Sequence, residues 1–196
     1  GLKEDSIRLS ERVLITWSKS RPDLAGRELS DIAEELGCDI FSAAAQLQPA
    51  GAVYFAMAEE DVQRILSHPN AMIGSDGLPH DEHPHPRLWG TFPRVLGHYC
   101  RDLKLFSLEE AIRRMTGYSA ETFGLIDRGV LKEGAFADIT IFDEDTVLDR
   151  ATFDKPMTPA AGIDTVMVNG SVVWEHGCAT GNRPGHVLRH GGNRPN

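Results

Sequence analysis

The chain has 196 residues, 41% apolar and 25% charged, the composition of a globular protein of one large domain or a domain and a half. Its formal charge of −9 argues against a nucleic-acid partner, which would require a basic face, and no charge-free apolar run is long enough to span a bilayer. Cys38, Cys100 and Cys178 lie far apart with no paired spacing, and no signal-peptide pattern precedes them, so reduced thiols and a cytoplasmic location are expected.

The chain opens Gly1-Leu2-Lys3-Glu4 without an initiator methionine and enters a strand almost at once, which raises the expectation of a piece of something longer. Residues 12–17 (Arg-Val-Leu-Ile-Thr-Trp) are β-branched and apolar and read as a buried strand. A loop with Pro22 and Gly26 follows. Leu29, Ile32, Ala33 and Leu36 then fall at helical spacing and Gly37 closes that helix. A second, alanine-rich helix runs from 39 to about 48, and Pro49-Ala50-Gly51 breaks it. Residues 52–57 read as a second strand and 59–68 as a helix with Val62, Ile65 and Leu66 inward and acids in its first turn. Pro69-Asn70 leads into a third strand ending at Asp76. These intervals predict parallel βαβ units, an α/β fold with a sheet covered on both faces.

Further on, 92–103 reads as helical. Ser107-Leu108-Glu109-Glu110 is a capping box in which Ser107 accepts from the Glu110 N–H while Glu110 reaches back. It launches a helix through Met115, and a shorter one runs from 119 to 124. Residues 137–142 and 165–168 alternate in polarity, and Asn169-Gly170 followed by Ser171-Val172-Val173-Trp174 signals a hairpin. The last third is therefore expected to be antiparallel β with a loose Gly/Arg/Asn tail. The boundary falls near Asp127, giving segments 1–127 and 128–196.

The chemistry concentrates in Ala71-Met72-Ile73-Gly74-Ser75-Asp76-Gly77 and the following loop with His80, Asp81, Glu82, His83, His85 and Arg87. An apolar run delivers one carboxylate to its C-terminal end, where glycines let the backbone turn. That edge of a parallel sheet is where α/β proteins bind ligands. Asp76 reads as a proton-transfer group, or alternatively as a helix cap. His83-Pro84-His85 reads as a metal pair or as an open loop kept extended by prolines. Arg87 could fork onto a substrate carboxylate or make a surface ion pair. Tyr54 and Met57 could line a side-chain pocket or serve as core.

Several blocks resemble the D-aminoacylases, the N-acyl-D-amino-acid deacylases: Arg12-Val13-Leu14-Ile15, Gly26 with Ile32-Ala33-Glu34-Glu35, Met72-Ile73-Gly74-Ser75-Asp76-Gly77, His85-Pro86-Arg87 and Gly90-Thr91-Phe92-Pro93-Arg94-Val95-Leu96-Gly97. The likeness continues through Glu109-Glu110-Ala111-Ile112-Arg113-Arg114-Met115-Thr116, Ala137-Asp138-Ile139, Asp149-Arg150-Ala151-Thr152-Phe153 and Val168-Asn169-Gly170. It covers about residues 12–189.

The resemblance implies the C-terminal part of a metal-dependent (β/α)8 amidohydrolase barrel, 1–127, followed by part of a small β domain, 128–196. It implies hydrolysis of the amide of a small-molecule N-acyl-D-amino acid, with zinc in the full-length enzyme and no metal ligand on this chain. Asp76 then matches the acid that takes a proton from the metal-bound water and passes it to the leaving nitrogen. Arg87, Tyr54, Met57, Ser75 and Gly77 would face substrate, and the three cysteines would be packing residues. A barrel of this kind requires about 250 residues, so its upstream part, with the metal ligands, is expected to be missing here. The alternatives are a dihydropyrimidinase-like cyclic amidase and a metal-free binding or assembly remnant.

Overall fold

β1 (Arg12–Ser18) is buried at five of its seven positions, so its side chains are covered on both faces, as its unbroken hydrophobicity predicts. In the computed structural model, which describes residues 2–191, β1 belongs to the first of two compact units, Gly1–Val62 with Asp76–Trp89 and Ala151–Thr158. α1 (Glu4–Arg8) contributes Ile7 to this unit's core. Ile15 is fully buried and anchors that core with Val13, Leu24 and Leu47. α2 (Leu29–Leu36) adds Leu29, Ile32 and Ala33, spaced so that one stripe faces inward. Each fully buried Leu or Ile side chain contributes about 1.5–3 kcal/mol relative to exposure.

The ends of these helices follow from local chemistry. Gly37 takes φ 63°, and the Gly37 and Cys38 N–H groups donate to the Glu34 and Ala33 carbonyls at 3.1 Å each. That Schellman closure needs a residue tolerant of the left-handed region. α3 (Ile40–Gln46) starts at Asp39, whose carboxylate accepts from the Phe41 and Ser42 N–H groups at 2.9 and 3.1 Å. Hydrogen bonds from the Ser42 hydroxyl and from these amides lower the Asp39 pKa.

The pairing of the first two strands departs from the parallel expectation. β2 (Ala50–Phe55) runs antiparallel to β1, with Arg12 opposite Phe55 and Ser18 opposite Ala50. One helix between two strands returns the chain to run parallel; here two helices, α2 and α3, pack on each other and reverse it twice. The far edge of β1 is covered by residues 26–28, with Ile15 N donating to the Arg27 carbonyl at 2.9 Å and Leu14 bridging Glu28. Ala50 and Gly51, expected as a break, are inside β2, and Met57 lies beyond it.

The expected third strand is also absent: residues 71–76 form no ladder among the described residues. A strand exists only against a neighbour, and β1 and β2 take each other. α4 (Glu59–Leu66) forms with acids in its first turn but has no buried residue, and Ile65, expected inward, is 59% exposed.

α5 (Arg87–Arg94) runs directly into π-helical backbone, Val95–Asp102. Pro93 brings no N–H to the helix ladder, so an acceptor one turn earlier loses its donor and the turn widens. The second unit comprises Gln63–Ser75, Gly90–Arg150 and Pro159–Asn196. In it, Ser107 Oγ accepts from the Glu110 N–H at 3.3 Å and starts α6 (Leu108–Met115). Glu110 does not reach back as a capping box requires. Its carboxylate binds Arg113 and Arg114, whose hydrogen bonds pull its pKa down to about 2. Arg114 is buried, stacks over Phe106 at 5.0 Å and donates to the Leu66 carbonyl. α7 (Gly117–Thr122) follows.

The expected antiparallel sheet is present as β3 (Ile139–Phe142), β4 (Ile163–Val168), β5 (Ser171–Glu175) and β6 (Cys178–Ala179), in that order. Asn169 and Gly170 turn β4 into β5 at φ 47° and 79°, the two left-handed residues of a tight hairpin. Arg128 joins Asp138 to the Asn169 side chain and lies over Phe136. The tail is less loose than expected: Asn169 Nδ2 donates to the Pro184 carbonyl at 2.7 Å and Gly191 N to the Gly124 carbonyl at 3.1 Å. Residues 192–196 of that tail lie outside the described residues. Cys38, Cys100 and Cys178 are free thiols, and burial raises the Cys100 pKa.

Candidate active site

Asp76 itself makes the turn that glycines were expected to supply, at φ 47°. Aspartate is among the few side chains that tolerate this region, because its short polar group can bond locally. Gly77 serves closeness instead. A Cβ there would stand 2.8 Å from Leu88 Cα and 2.6 Å from Leu88 Cδ1, so only glycine lets the turn lie against the start of α5. Gly74 has open space around it, and Ser75 is half-buried.

That close approach brings Arg87 to Asp76. Arg87 Nε donates to the Asp76 carbonyl at 2.8 Å, and its Nη2 lies 2.7 Å from Asp76 Oδ2. The fork of one guanidinium thus holds both main chain and carboxylate, which a single ammonium could not do. The Asp76 side chain is 81% exposed, so the carboxylate is presented to solvent from a fixed base. It does not cap a helix.

The histidine loop is organised from the first unit's own core. His83 N donates to the Thr16 carbonyl at 2.9 Å, its Nε2 donates to the Phe153 carbonyl at 2.5 Å, and its ring fills the space over Gly26. The His85 ring meets Phe153 edge-on at 5.1 Å, and Phe153 packs on Phe55 at 4.6 Å. Burial, reinforced by the Arg87 charge and partly opposed by Asp76, lowers the His85 pKa from 6.5 to about 4. His83 thus bonds to main-chain groups of two other segments, at Thr16 and Phe153, while His85 Nδ1 accepts from the Arg87 N–H within the loop. Among the described residues, no group of three or more His, Cys, Asp or Glu side chains is placed to hold a metal ion. The donors among the described residues thus do not by themselves fit a metal centre.

Of the remaining expected site residues, Tyr54 packs against the first unit's core and its hydroxyl accepts from Lys3 N at 3.3 Å. Met57 is 73% exposed. Phe153 was not foreseen in the site, since it comes 70 positions after His83 and only tertiary packing brings the two together. Asp81, named in the histidine loop but given no role there, has a side chain only 7% exposed. His80 Nε2 lies 3.3 Å from Asp81 Oδ1, close enough for an ion pair when the imidazole is protonated, but that oxygen has no hydrogen-bond partner among the described residues. No helix among the described residues is long and apolar enough to cross a membrane.

A site of this build offers a solvent-facing carboxylate that can take and return a proton, beside a guanidinium matched to carboxylates and a neutral imidazole. Known proteins resemble the chain closely. A D-aminoacylase of Alcaligenes xylosoxydans xylosoxydans is 57% identical over 95% of this chain and 39% of its own length. A solved D-aminoacylase described for its binuclear metal centre superimposes with a TM-score of 0.88 at 57% identity, over 92% of this chain and 38% of that one. The N-acyl-D-glutamate deacylase of Bordetella bronchiseptica, solved with zinc and a phosphonate mimic of the tetrahedral intermediate, gives a TM-score of 0.87 at 52% identity, over 94% and 39%. The chain thus spans about two fifths of the length of the relatives it matches. The family model of the amidohydrolases matches residues 28–174, and it is to the amidohydrolase family that this chain belongs.

Proposed function

We propose that the protein carrying this chain hydrolyses the amide of N-acyl-D-amino acids, releasing a carboxylate and a free D-amino acid. Asp76 accepts the proton of the attacking water as oxygen adds to the acyl carbon. It returns that proton to the nitrogen as the C–N bond breaks. Arg87 holds the substrate's α-carboxylate, and Tyr54, Met57, Ser75 and Gly77 line the approach. The observation that carries this reading is the Asp76–Arg87 pairing, a base and a carboxylate receptor joined at 2.7 Å, in a chain that matches deacylases almost from end to end. A cyclic amidase is not favoured, because the matches that cover the chain are to enzymes of acyclic N-acyl-D-amino acids.

In this reading, residues 1–127 are the last βα units of a (β/α)8 barrel and 128–196 belong to a small β domain. A relative was solved with zinc, and in this reading the full-length enzyme carries zinc on residues other than those of this chain. Free thiols support a cytoplasmic enzyme, and the charge of −9 supports the absence of a nucleic-acid partner. The test is hydrolysis of N-acetyl-D- and N-acetyl-L-amino acids by the protein expressed over the full length of its relatives. Release of free D-amino acid supports the proposal; turnover of neither enantiomer, or of the L series alone, contradicts it.

A further inference from the structure

Arg87 reaches Asp76 from the first residue of α5, so whatever fixes the start of α5 fixes the partner of the candidate base. An N–H at a helix start has no acceptor inside the helix. That of Arg87 donates to His85 Nδ1 at 3.0 Å. A main-chain N–H can only donate, so Nδ1 carries a lone pair and the ring proton sits on Nε2. The ring is held in this orientation. Pro84 and Pro86 restrict the backbone on either side, and Phe153 meets the imidazole edge-on at 5.1 Å. Phe153 is itself fixed by Phe55 at 4.6 Å and by the His83 hydrogen bond to its carbonyl. Burial keeps the imidazole neutral at neutral pH, so the acceptor is present under working conditions.

We propose that His85 is a positioning residue of this site: its Nδ1 anchors the Arg87 main chain and so sets where the guanidinium meets Asp76 and the substrate carboxylate. The kinetic part of this proposal rests on the function proposed above. His85 acts through Arg87, so its loss should reproduce the signature of a displaced Arg87 and not a general loss of fold.

Two variants of the full-length, metal-loaded enzyme separate acceptor from packing. His85→Phe keeps the ring edge against Phe153 and removes the acceptor. His85→Asn gives up the ring but supplies a side-chain oxygen that can accept the N–H two residues on. His85→Phe is expected to lower kcat/KM for an N-acetyl-D-amino acid about five- to tenfold, the scale of one hydrogen bond. The effect should be smaller on the corresponding carboxamide, and His85→Asn should stay within about threefold of wild type. Wild-type kinetics in His85→Phe, equal loss in both variants, or equal effects on acid and carboxamide would overturn the proposal. Should His85→Phe fail to fold, the ring 15N spectrum of the wild type and the kinetics of His85→Asn decide. An unprotonated, hydrogen-bonded Nδ1 with an active Asn variant supports the role; a protonated Nδ1 or an inactive Asn variant overturns it. A wild type that cleaves no N-acetyl-D-amino acid refutes the function, while the ring spectrum, read without substrate, still decides whether Nδ1 accepts.

Discussion

Gly77→Ala probes the packing that brings Arg87 to Asp76. Gly77 lies outside the left-handed region, so alanine adds one methyl group and no backbone strain. Its Cβ would stand 2.8 Å from Leu88 Cα, where carbon atoms rest at about 3.5–4.0 Å. The turn and the start of α5 must therefore separate by about 1 Å. Leu88 Cδ1, at 2.6 Å, can rotate away, but a main-chain Cα cannot. The Arg87 bonds to Asp76, at 2.8 and 2.7 Å, would lengthen past hydrogen-bond range. Overpacking of this kind costs about 1–3 kcal/mol of stability, whereas a displacement of about 1 Å at a reacting group can cost on the order of a hundredfold in rate. The expected outcome is a folded enzyme with a modestly lowered urea midpoint and a loss of kcat/KM of about 10- to 100-fold. Steady-state kinetics on an N-acetyl-D-amino acid beside a urea titration gives both numbers. Wild-type kinetics with an unchanged midpoint would refute the close approach of the two segments.

Arg87→Lys keeps the charge but cannot reach both the carbonyl and the carboxylate of Asp76. KM should rise for N-acyl-D-amino acids and less for their carboxamides, with stability nearly unchanged because an exposed pair is worth about 0–1 kcal/mol; equal effects on both substrates would assign Arg87 another role. Ile15→Ala removes a fully buried side chain from the first unit's core and should cost about 2–5 kcal/mol in chemical denaturation; a loss below about 1 kcal/mol would contradict that packing. His85, with its pKa lowered from 6.5 to about 4, binds fewer protons folded than unfolded across that window, so stability rises with pH there and falls on acidification. Wild type should lose more stability than His85→Asn between pH 6.5 and 4; parallel losses, or an NMR titration of the ring near 6.5, would contradict the burial of the imidazole.

Local rules carried the reading furthest where one contact decides the structure. The Gly37 closure of α2, the Asp39 cap, the Ser107 start of α6 and the Asn169-Gly170 hairpin all depend on groups within a few residues of each other, and all are present. Strand pairing depends on what the intervening chain does in three dimensions. The two helices between β1 and β2 were legible, but not that their packing turns an expected parallel pair antiparallel. The run ending at Asp76 has strand composition without a strand neighbour, because hydrophobic pattern records burial and not the partner of a hydrogen-bond ladder. In the site, Asp76 and Arg87 could be singled out by residue type and spacing. Their mutual hydrogen bonds could not, since these depend on the missing Cβ of Gly77. The support of His85 by Phe153 and Phe55 joins three distant segments and leaves no local trace.

The central claim is that Asp76 moves the proton in amide hydrolysis, and Asp76→Asn tests it most directly because the amide keeps the size of the side chain and a carbonyl oxygen to face Arg87 while removing the base. In the protein expressed over the full length of its relatives, kcat for an N-acetyl-D-amino acid should fall at least about a hundredfold, with metal content and melting temperature close to wild type. Turnover within a few-fold of wild type would contradict the account.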